Sequence, residues 1–244
     1  MMNRMHWLLK AQFFWLAMTL AAVVGFRGSL LTWRPALMLA AAALGGLVLT
    51  GFVSLLVLFA RLRVGRRDGS ASCLWAAGLS LPALVGVLLM GIQGVQAPPI
   101  HDIATDPDNP PLFRAAPTLR QAGDNPIDYP GEETAGRQRQ AYPDIAPLLV
   151  ALPPEAAFGK SAAVAEQLGW RIVARSREQG VIEAVDRTLI FGFTDDIVIR
   201  IEATASGSRI DLRSASRAGV GDLGVNAKRI RAFVAAFTNS QPKT

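Results

Sequence analysis

Two long stretches without a charged residue constrain this chain more than any other feature of its sequence. They cover residues 36–60 and 74–95 and consist almost entirely of apolar side chains. At about 1.5 Å per residue, a helix over 36–60 is roughly 37 Å long, which is enough to cross a hydrocarbon core about 30 Å thick. Pro82 lies near the start of the second stretch, where a membrane helix tolerates a kink. The sequence therefore predicts two transmembrane helices here.

A third apolar stretch, residues 7–26, has Lys10 near one end, and a lysine at that position can extend to the lipid headgroups. The alternative is a cleaved signal peptide, since a charged start, an apolar centre and small residues occur in the right order. No clean small-x-small cleavage site follows the stretch, which favours a retained helix. Residues 1–95 are thus predicted to form a membrane anchor of about three helices.

The charges are unevenly distributed along the chain. Residues 1–95 contain eight basic residues and one acidic residue, whereas residues 96–244 contain 17 basic and 18 acidic residues. The high isoelectric point of 10.2 therefore comes from the membrane half, and the nearly neutral remainder argues against binding of nucleic acid. Four arginines lie in residues 61–68, between the two strongest apolar stretches. The positive-inside rule places this loop in the cytoplasm and everything after residue 95 on the other side of the membrane.

Residues 96–152 form a Pro-rich segment, and residues 96–154 hold 12 of the 15 prolines. Proline fixes φ and removes a hydrogen-bond donor, so regular helix and central strand are excluded. The segment could be fully disordered, but its scattered apolar and aromatic residues favour a strap over the following domain. Five possible metal ligands occur together in this segment. They are His101, Asp102, Asp106, Asp108 and Asn109. A calcium loop would also need a glycine and a late glutamate, so turn formation before proline is favoured and no metal site is predicted.

Residues 153–244 are predicted to form a small α+β domain with the element order α-β-β-β-β-α. The strands are expected over 170–175, 181–187, 196–204 and 209–213, between helices over 155–168 and 223–237. An antiparallel sheet with both helices on one face buries the apolar stripes of these elements. The opposite face, which includes Arg200, Glu202, Arg209, Asp211 and Arg213, is expected to be exposed. Cys73 is the only cysteine, so the domain has no disulfide and no thiol for catalysis.

The candidate site lies where the last strand leads into the last helix. Arginines, hydroxyls and the start of a helix at this corner can bind an anionic group such as a phosphate or a carboxylate. The candidate ligand-binding residues are Asp195, Asp196, Arg213, Ser214, Ser216, Arg217, Asp222, Asn226 and Arg229. The alternative is structural: Arg213 and Arg217 pair with Asp195, Asp196 and Asp222, and Asn226 binds loop carbonyls. The sequence favours this structural lock.

Three motifs in this region, TDDIVIR, RSASRAG and DLGVN, occur in that order and are followed by Arg229. Together they resemble the signature of the DUF1499 family, a bacterial and plastid domain with no established activity. The segment HDIATDPDNPP, residues 101–111, resembles members that carry transmembrane helices. The resemblance supports the domain boundary and membrane attachment and supplies no catalytic residues. Together with the orientation rule, it implies a bacterial inner-membrane protein.

An enzyme is the less favoured function. No histidine follows His101, so a serine nucleophile in the domain lacks its usual base. Asp195 and Asp196 are neighbours in a predicted strand and should point to opposite faces, which separates them as metal ligands. The sequence favours a non-catalytic binding or assembly module without a cofactor. Its expected partners are the lipid bilayer and an envelope protein or a small anionic ligand. The alternative is a metal-dependent or hydrolase-like enzyme that uses Asp195, Asp196, Ser214 and Ser216.

Overall fold

The computed structural model describes residues 6–239. The chain divides into two compact units, Met1–Gln93 and Gly94–Thr244. The first unit contains helices α1 (His6–Arg27) and α2 (Trp33–Arg63) and most of α3 (Ser70–Gln96). All three are long and apolar enough to cross a membrane. This confirms the prediction of N-terminal apolar helices.

A buried glutamine joins the three helices of the first unit. The side-chain amide of Gln12 in α1 donates hydrogen bonds to the carbonyl oxygen of Leu47 in α2 at 3.2 Å and to that of Ala76 in α3 at 2.7 Å. Trp15 in α1 donates to the hydroxyl of Thr50 in α2 at 3.1 Å. Such polar contacts hold helices together where the apolar surfaces alone provide little preference for protein over lipid. Helix α1 is therefore a packed member of a three-helix bundle.

The second unit contains the predicted antiparallel sheet and helices. Four consecutive strands form a meander in which each strand pairs with the next: β3 (Arg171–Ser176), β4 (Val181–Arg187), β5 (Thr194–Thr204) and β6 (Gly207–Ser216). Two long helices, α6 (Pro154–Gln167) and α7 (Val225–Asn239), precede and follow the meander. The α-β-β-β-β-α order and the fold class are confirmed.

The helix-facing side of the sheet carries the main core. Ile199 of β5 lies between Ile182 of β4 and Leu212 of β6, and all three are fully buried. Phe233 of α7 stacks on Trp170, with ring centroids 5.7 Å apart. Burial of an apolar side chain of this size contributes about 1.5–3 kcal/mol, so these contacts attach both long helices to one face of the sheet.

The sheet has six strands and not four, because the Pro-rich segment adds two. Strands β1 (Asp102–Ala104) and β2 (Leu148–Val150) both pair antiparallel with β6, along the edge that β5 leaves free. Gly207 makes room for β2: a Cβ atom there would lie 2.1 Å from the carbonyl oxygen of Val150. Each added strand is three residues long, too short to show the alternation by which the longer strands were predicted. The segment also forms the helices α4 (Ala116–Leu119) and α5 (Glu132–Ala141). The exclusion of regular helix from this segment is therefore wrong, because residues 132–141 contain no proline.

The prediction that the opposite face of the sheet is exposed is wrong. Residues of the Pro-rich segment cover it, and Phe113 and Ala116 pack there against Val198 and Ala215. Asp211 and Arg213 on this face are therefore buried. Arg200 and Arg209 are half-buried, and only Glu202 of the five predicted surface charges is exposed. A buried charge such as Asp211 or Arg213 needs a partner inside the protein.

Candidate functional site

The candidate residues are divided between the two faces of the sheet. Because side chains alternate along a strand, Asp195 of β5 and the two serines Ser214 and Ser216 of β6 face the helices. Asp196 and Arg213 face the Pro-rich segment. The expectation that Asp195 and Asp196 point to opposite faces is confirmed, and the nine residues do not form a single site.

On the helix-facing side, the guanidinium of Arg229 is the centre of a buried network. It donates to Asp195 at 2.6 Å and to Asp186 at 2.8 and 3.0 Å. It also donates to the side-chain oxygen of Asn226 at 2.7 Å and to the hydroxyl of Ser214 at 3.1 Å. A guanidinium has five N–H donors, and five hydrogen bonds leave none for a ligand.

Asn226 connects this network to the rest of the unit. Its side-chain oxygen accepts from the hydroxyl of Ser214 at 2.6 Å, and its amide donates to the hydroxyl of Ser216 at 2.9 Å and to the carbonyl oxygen of His101 at 3.0 Å. Asn226 thus binds a loop carbonyl, as the structural alternative predicted. We call the set Asp186, Asp195, Ser214, Ser216, Asn226 and Arg229 the α7 network.

The N-terminal end of α7 already holds a carboxylate of this chain. Asp222 accepts hydrogen bonds from the backbone N–H groups of Gly224 at 2.9 Å and Asn226 at 2.7 Å. Burial raises the pKa of Asp222, while these two N–H groups oppose the shift. The backbone donors that were predicted to bind an external anion are therefore occupied by Asp222.

On the opposite face, Arg213 forms a buried ion pair with Asp102 of β1. Both side chains are 1% exposed, and the guanidinium donates to the carboxylate at 2.7 and 3.0 Å. It lies between the rings of Phe113 and Tyr129, with centroids 4.8 and 5.3 Å away. Burial raises the pKa of Asp102 against the effect of Arg213, and burial raises that of Tyr129 to about 12. The predicted partners of Arg213 were Asp195, Asp196 and Asp222; the observed partner, Asp102, makes that prediction wrong.

A second cluster of charges on this face contains two guanidiniums and one carboxylate. Arg217 donates to Asp196 at 2.6 Å, as predicted, and Arg120 of the Pro-rich segment donates to the same carboxylate at 2.9 Å. Arg217 also donates to the carbonyl oxygen of Leu119 at 2.6 Å. The Nη2 atom of Arg120 is buried and has no hydrogen-bond partner among the described residues.

Several functional groups of these networks were not found from the sequence. Asp102, Arg120 and the buried Glu183 take part, and Glu183 accepts from the N–H groups of Arg114, Ala115 and Ala116. Only Asp186 could have been found from the sequence: the register of the β4–β5 hairpin places it directly opposite Asp195. The others interact across the Pro-rich segment, whose spacing predicts no contact.

Among the five possible metal ligands of the Pro-rich segment, the three aspartates are each used in a different ion pair. Asp102 binds Arg213, Asp106 binds Arg209, and Asp108 binds Arg139. Within residues 6–239, no three or more His, Cys, Asp or Glu side chains are grouped in a way that could hold a metal ion. The hydroxyls of the two candidate serines bind Asn226 and Arg229. The arrangement thus consists of paired charges that connect the sheet, α7 and the Pro-rich segment.

Comparison with known proteins gives one family. The family model described as "Protein of unknown function (DUF1499)" matches residues 102–237, which include both buried charge networks. No curated protein matches the chain.

Proposed function

The chain belongs to the DUF1499 family, and from that membership we propose that it is a bacterial inner-membrane protein. Its globular domain serves as a non-catalytic binding or assembly module of the envelope, on the extracytoplasmic side. The orientation is supported by four arginines between the two strongest apolar stretches: Arg61 and Arg63 in the last turn of α2, and Arg66 and Arg67 in the loop to α3. This end of the helices is expected in the cytoplasm. Three apolar helices supply the anchor.

One observation carries the non-catalytic assignment: the candidate groups already bind each other. Arg229 uses all its donors inside the α7 network, Asp222 fills the N-terminal end of α7, and the Arg213–Asp102 pair is fully buried. A catalytic or binding group has to reach its substrate, whereas these groups reach only one another. Their role is to fix the geometry of the domain, and its outer surface contacts the partner.

A second candidate function, the binding of a small anion, is supported by Arg120 and Arg217. Two guanidiniums share the single carboxylate of Asp196, which leaves one positive charge that this carboxylate does not neutralise. The buried Nη2 atom of Arg120 also lacks a hydrogen-bond partner among the described residues. A small anionic ligand has the chemistry to satisfy both.

Native mass spectrometry of the full chain, released from detergent micelles, distinguishes the two candidates. We expect the bare polypeptide, with or without bound lipid.

Arg213→Ala should lower the free energy of unfolding of the domain by about 3–5 kcal/mol, because it leaves the Asp102 carboxylate buried and unpaired. Urea titration with pulse proteolysis measures this change. The matched control is Arg137→Ala, which removes an exposed pair with Glu133 and should cost about 0–1 kcal/mol.

The opposite result has a clear form. A reproducible extra mass that disappears in Arg217→Ala, while the domain stays folded, would replace the structural assignment with the anion site. Equal stability of Arg213→Ala and Arg137→Ala would contradict the role of the buried pair.

A further inference from the structure

Exposed aliphatic side chains are concentrated at one end of the sheet of the second unit. Eight large hydrophobic side chains are exposed among the described side chains of residues 94–239, and five of them lie at this end. We call these five the aliphatic patch: Leu189, Ile190, Val220, Leu223 and Val225. Leu189 is 91% exposed, Val220 74% and Ile190 67%. A soluble surface rarely concentrates apolar groups in this way, so the patch indicates an interaction.

The two loops that carry the patch are neighbours. The β4–β5 loop is closed by a backbone hydrogen bond from Thr188 to Phe193 at 2.9 Å, and the rings of Phe191 and Phe193 stack with centroids 5.2 Å apart. The backbone N–H of Arg217, at the start of the β6–α7 loop, donates to the carbonyl oxygen of Thr194 at 3.1 Å. The loops thus leave the sheet from adjacent strands, and their exposed side chains belong to one surface.

The backbone of the β6–α7 loop holds one of these residues in an unfavourable conformation. Leu223 has a φ of 52°, in the left-handed region that residues with a side chain rarely adopt. The side chain is 41% exposed, so burial in the core does not account for this conformation. The conformation belongs to a turn that is closed by a hydrogen bond from the backbone N–H of Val225 to the carbonyl oxygen of Asp222 at 3.1 Å, and this turn leaves the Leu223 side chain at the surface.

A short covalent connection to α3 limits how far this end of the sheet can lie from the membrane. The backbone N–H of Asp222 donates to the carbonyl oxygen of Ile100 at 3.1 Å, and a Cβ atom on Gly221 would lie 3.2 Å from the Cα atom of Pro99. Helix α3 ends at Gln96, so only residues 97–99 separate the helix from Ile100. At about 3.3–3.6 Å per residue, four steps span at most about 14 Å.

The membrane-spanning part of α3 ends just before this connection. The candidate span runs to Ile92, and the four further helical residues add roughly 6 Å. The β6–α7 loop is therefore tied within roughly 20 Å of the end of the span. Each headgroup region of a bilayer is about 5–8 Å thick, so the patch is held close to the lipid surface.

We propose that the aliphatic patch inserts into the interfacial region of the bilayer in which α3 is anchored. The exposed Arg187, two residues before Leu189, then contributes a cation at the level of the lipid phosphates. The domain is attached to the membrane twice, by α3 and by the patch, and the β5–β6 turn at the other end of the sheet is left for a partner. This inference rests on the membrane anchoring in the proposed function and is independent of which side the domain occupies.

The test uses the full chain in bilayer nanodiscs of phosphatidylethanolamine and phosphatidylglycerol. In a Cys73→Ser background, Leu189→Cys carries an environment-sensitive fluorophore, and part of the lipid carries a nitroxide quencher. The matched control is Leu149→Cys: Leu149 is 71% exposed and lies in β2, opposite Arg209 near the β5–β6 turn. We expect several-fold stronger quenching at position 189 than at position 149.

Other outcomes overturn the inference. Weak quenching at both positions would mean that the patch does not reach lipid, and equally strong quenching at both would mean that this end has no special contact. Disulfide formation between two Leu189→Cys chains without lipid quenching would assign the patch to a second copy of the chain. A chain that failed to enter the nanodiscs would overturn the membrane anchoring itself, and this inference with it.

Discussion

At the scale of single residues, Asp222 explains why the N-terminal end of α7 is not a free anion site. Its carboxylate accepts hydrogen bonds from the backbone N–H groups that an external phosphate or carboxylate would need. The carboxylate is nevertheless buried, and burial raises its pKa. The helix start is thus capped by a group whose ionised form is disfavoured by its surroundings, and this conflict can be measured.

We predict that Asp222→Asn removes one contribution to the pH dependence of the stability of the domain. The pKa of Asp222 is raised in the folded state, so the stability due to its protonated form is present below the unfolded value, near 3.8, and is lost as pH rises through the folded pKa. Asparagine retains an oxygen acceptor and does not titrate. The free energy of unfolding of Asp222→Asn minus that of the parent chain should rise with pH. The rise is about 1.4 kcal/mol for each pH unit by which the folded pKa of Asp222 exceeds its unfolded pKa.

Pulse proteolysis in urea from acidic to neutral pH measures this difference, and Asp144→Asn is a control of opposite sign. The Arg231 guanidinium lowers the pKa of Asp144, so the stability that this pair contributes is lost as pH falls through the folded pKa. The difference for Asp144→Asn should therefore fall with rising pH. A falling difference for Asp222→Asn would mean that the fold favours its ionised form, and a flat difference would mean that folding leaves its pKa unchanged; either result contradicts the prediction.

Individual contacts could be predicted only where a repeating geometry relates the residues. Strand alternation placed Asp195 and Asp196 on opposite faces, and the corner between β6 and α7 brought Arg217 to Asp196. The partner of Arg213 is Asp102, 111 residues away in the chain. A proline-rich segment has no repeating pattern that fixes where it returns to the sheet. The sequence therefore did not identify Asp102, among the acidic residues, as the partner of Arg213.

At the scale of elements, length decided which strands could be predicted. Strand β5 has eleven residues and alternates isoleucine with other side chains, which identifies both the strand and its buried face. Strands β1 and β2 have three residues each and exist because β6 offers them a free edge. The coverage of the second face depends on the same long-range return of the Pro-rich segment, and for that reason the predicted exposed face is buried.

Helix α1 gives a prediction at this scale. Gln12→Leu removes both hydrogen bonds that connect α1 to the carbonyls of Leu47 and Ala76. We expect the free energy of unfolding of the three-helix bundle to fall by about 0.5–2 kcal/mol, the range for polar contacts between membrane helices. SDS titration of the full chain in mild detergent measures it by tryptophan fluorescence, since four of the five tryptophans lie before residue 94.

The control for this prediction is Thr19→Val in the same helix. The Thr19 hydroxyl donates to the carbonyl oxygen of Trp15, one turn earlier in α1, so its loss should leave the contacts between helices unchanged. If α1 were a cleaved signal peptide, Gln12→Leu would have no effect on the mature chain. An unchanged bundle would therefore remove the argument that α1 is a permanent part of the anchor.

At the scale of the whole molecule, the charge distribution changes along the chain close to the boundary between the two compact units. Positive charge is concentrated in the membrane half, whereas the globular half has nearly equal numbers of basic and acidic residues and pairs most of its arginines internally. The high isoelectric point therefore comes from the N-terminal half of the chain. It reflects the arginines near the ends of membrane helices, where charge directs orientation during insertion.

This division predicts a topology that two cysteine variants can test. In a Cys73→Ser background, Val64→Cys lies in the arginine-rich loop between α2 and α3, and Ser206→Cys lies in the β5–β6 turn; both positions are exposed. A membrane-impermeant maleimide should label Ser206→Cys in intact spheroplasts, and Val64→Cys only after permeabilisation, because the four arginines keep their loop in the cytoplasm.

The reverse pattern would put the domain in the cytoplasm and remove the envelope role, while leaving the aliphatic patch beside a bilayer. Labelling of both positions in intact spheroplasts would mean that α3 does not cross the membrane, and the short connection to Ile100 would then no longer hold the domain at a lipid surface. The orientation and the proposed lipid contact thus depend on different properties of the chain: the charge of one loop and the length of one connection.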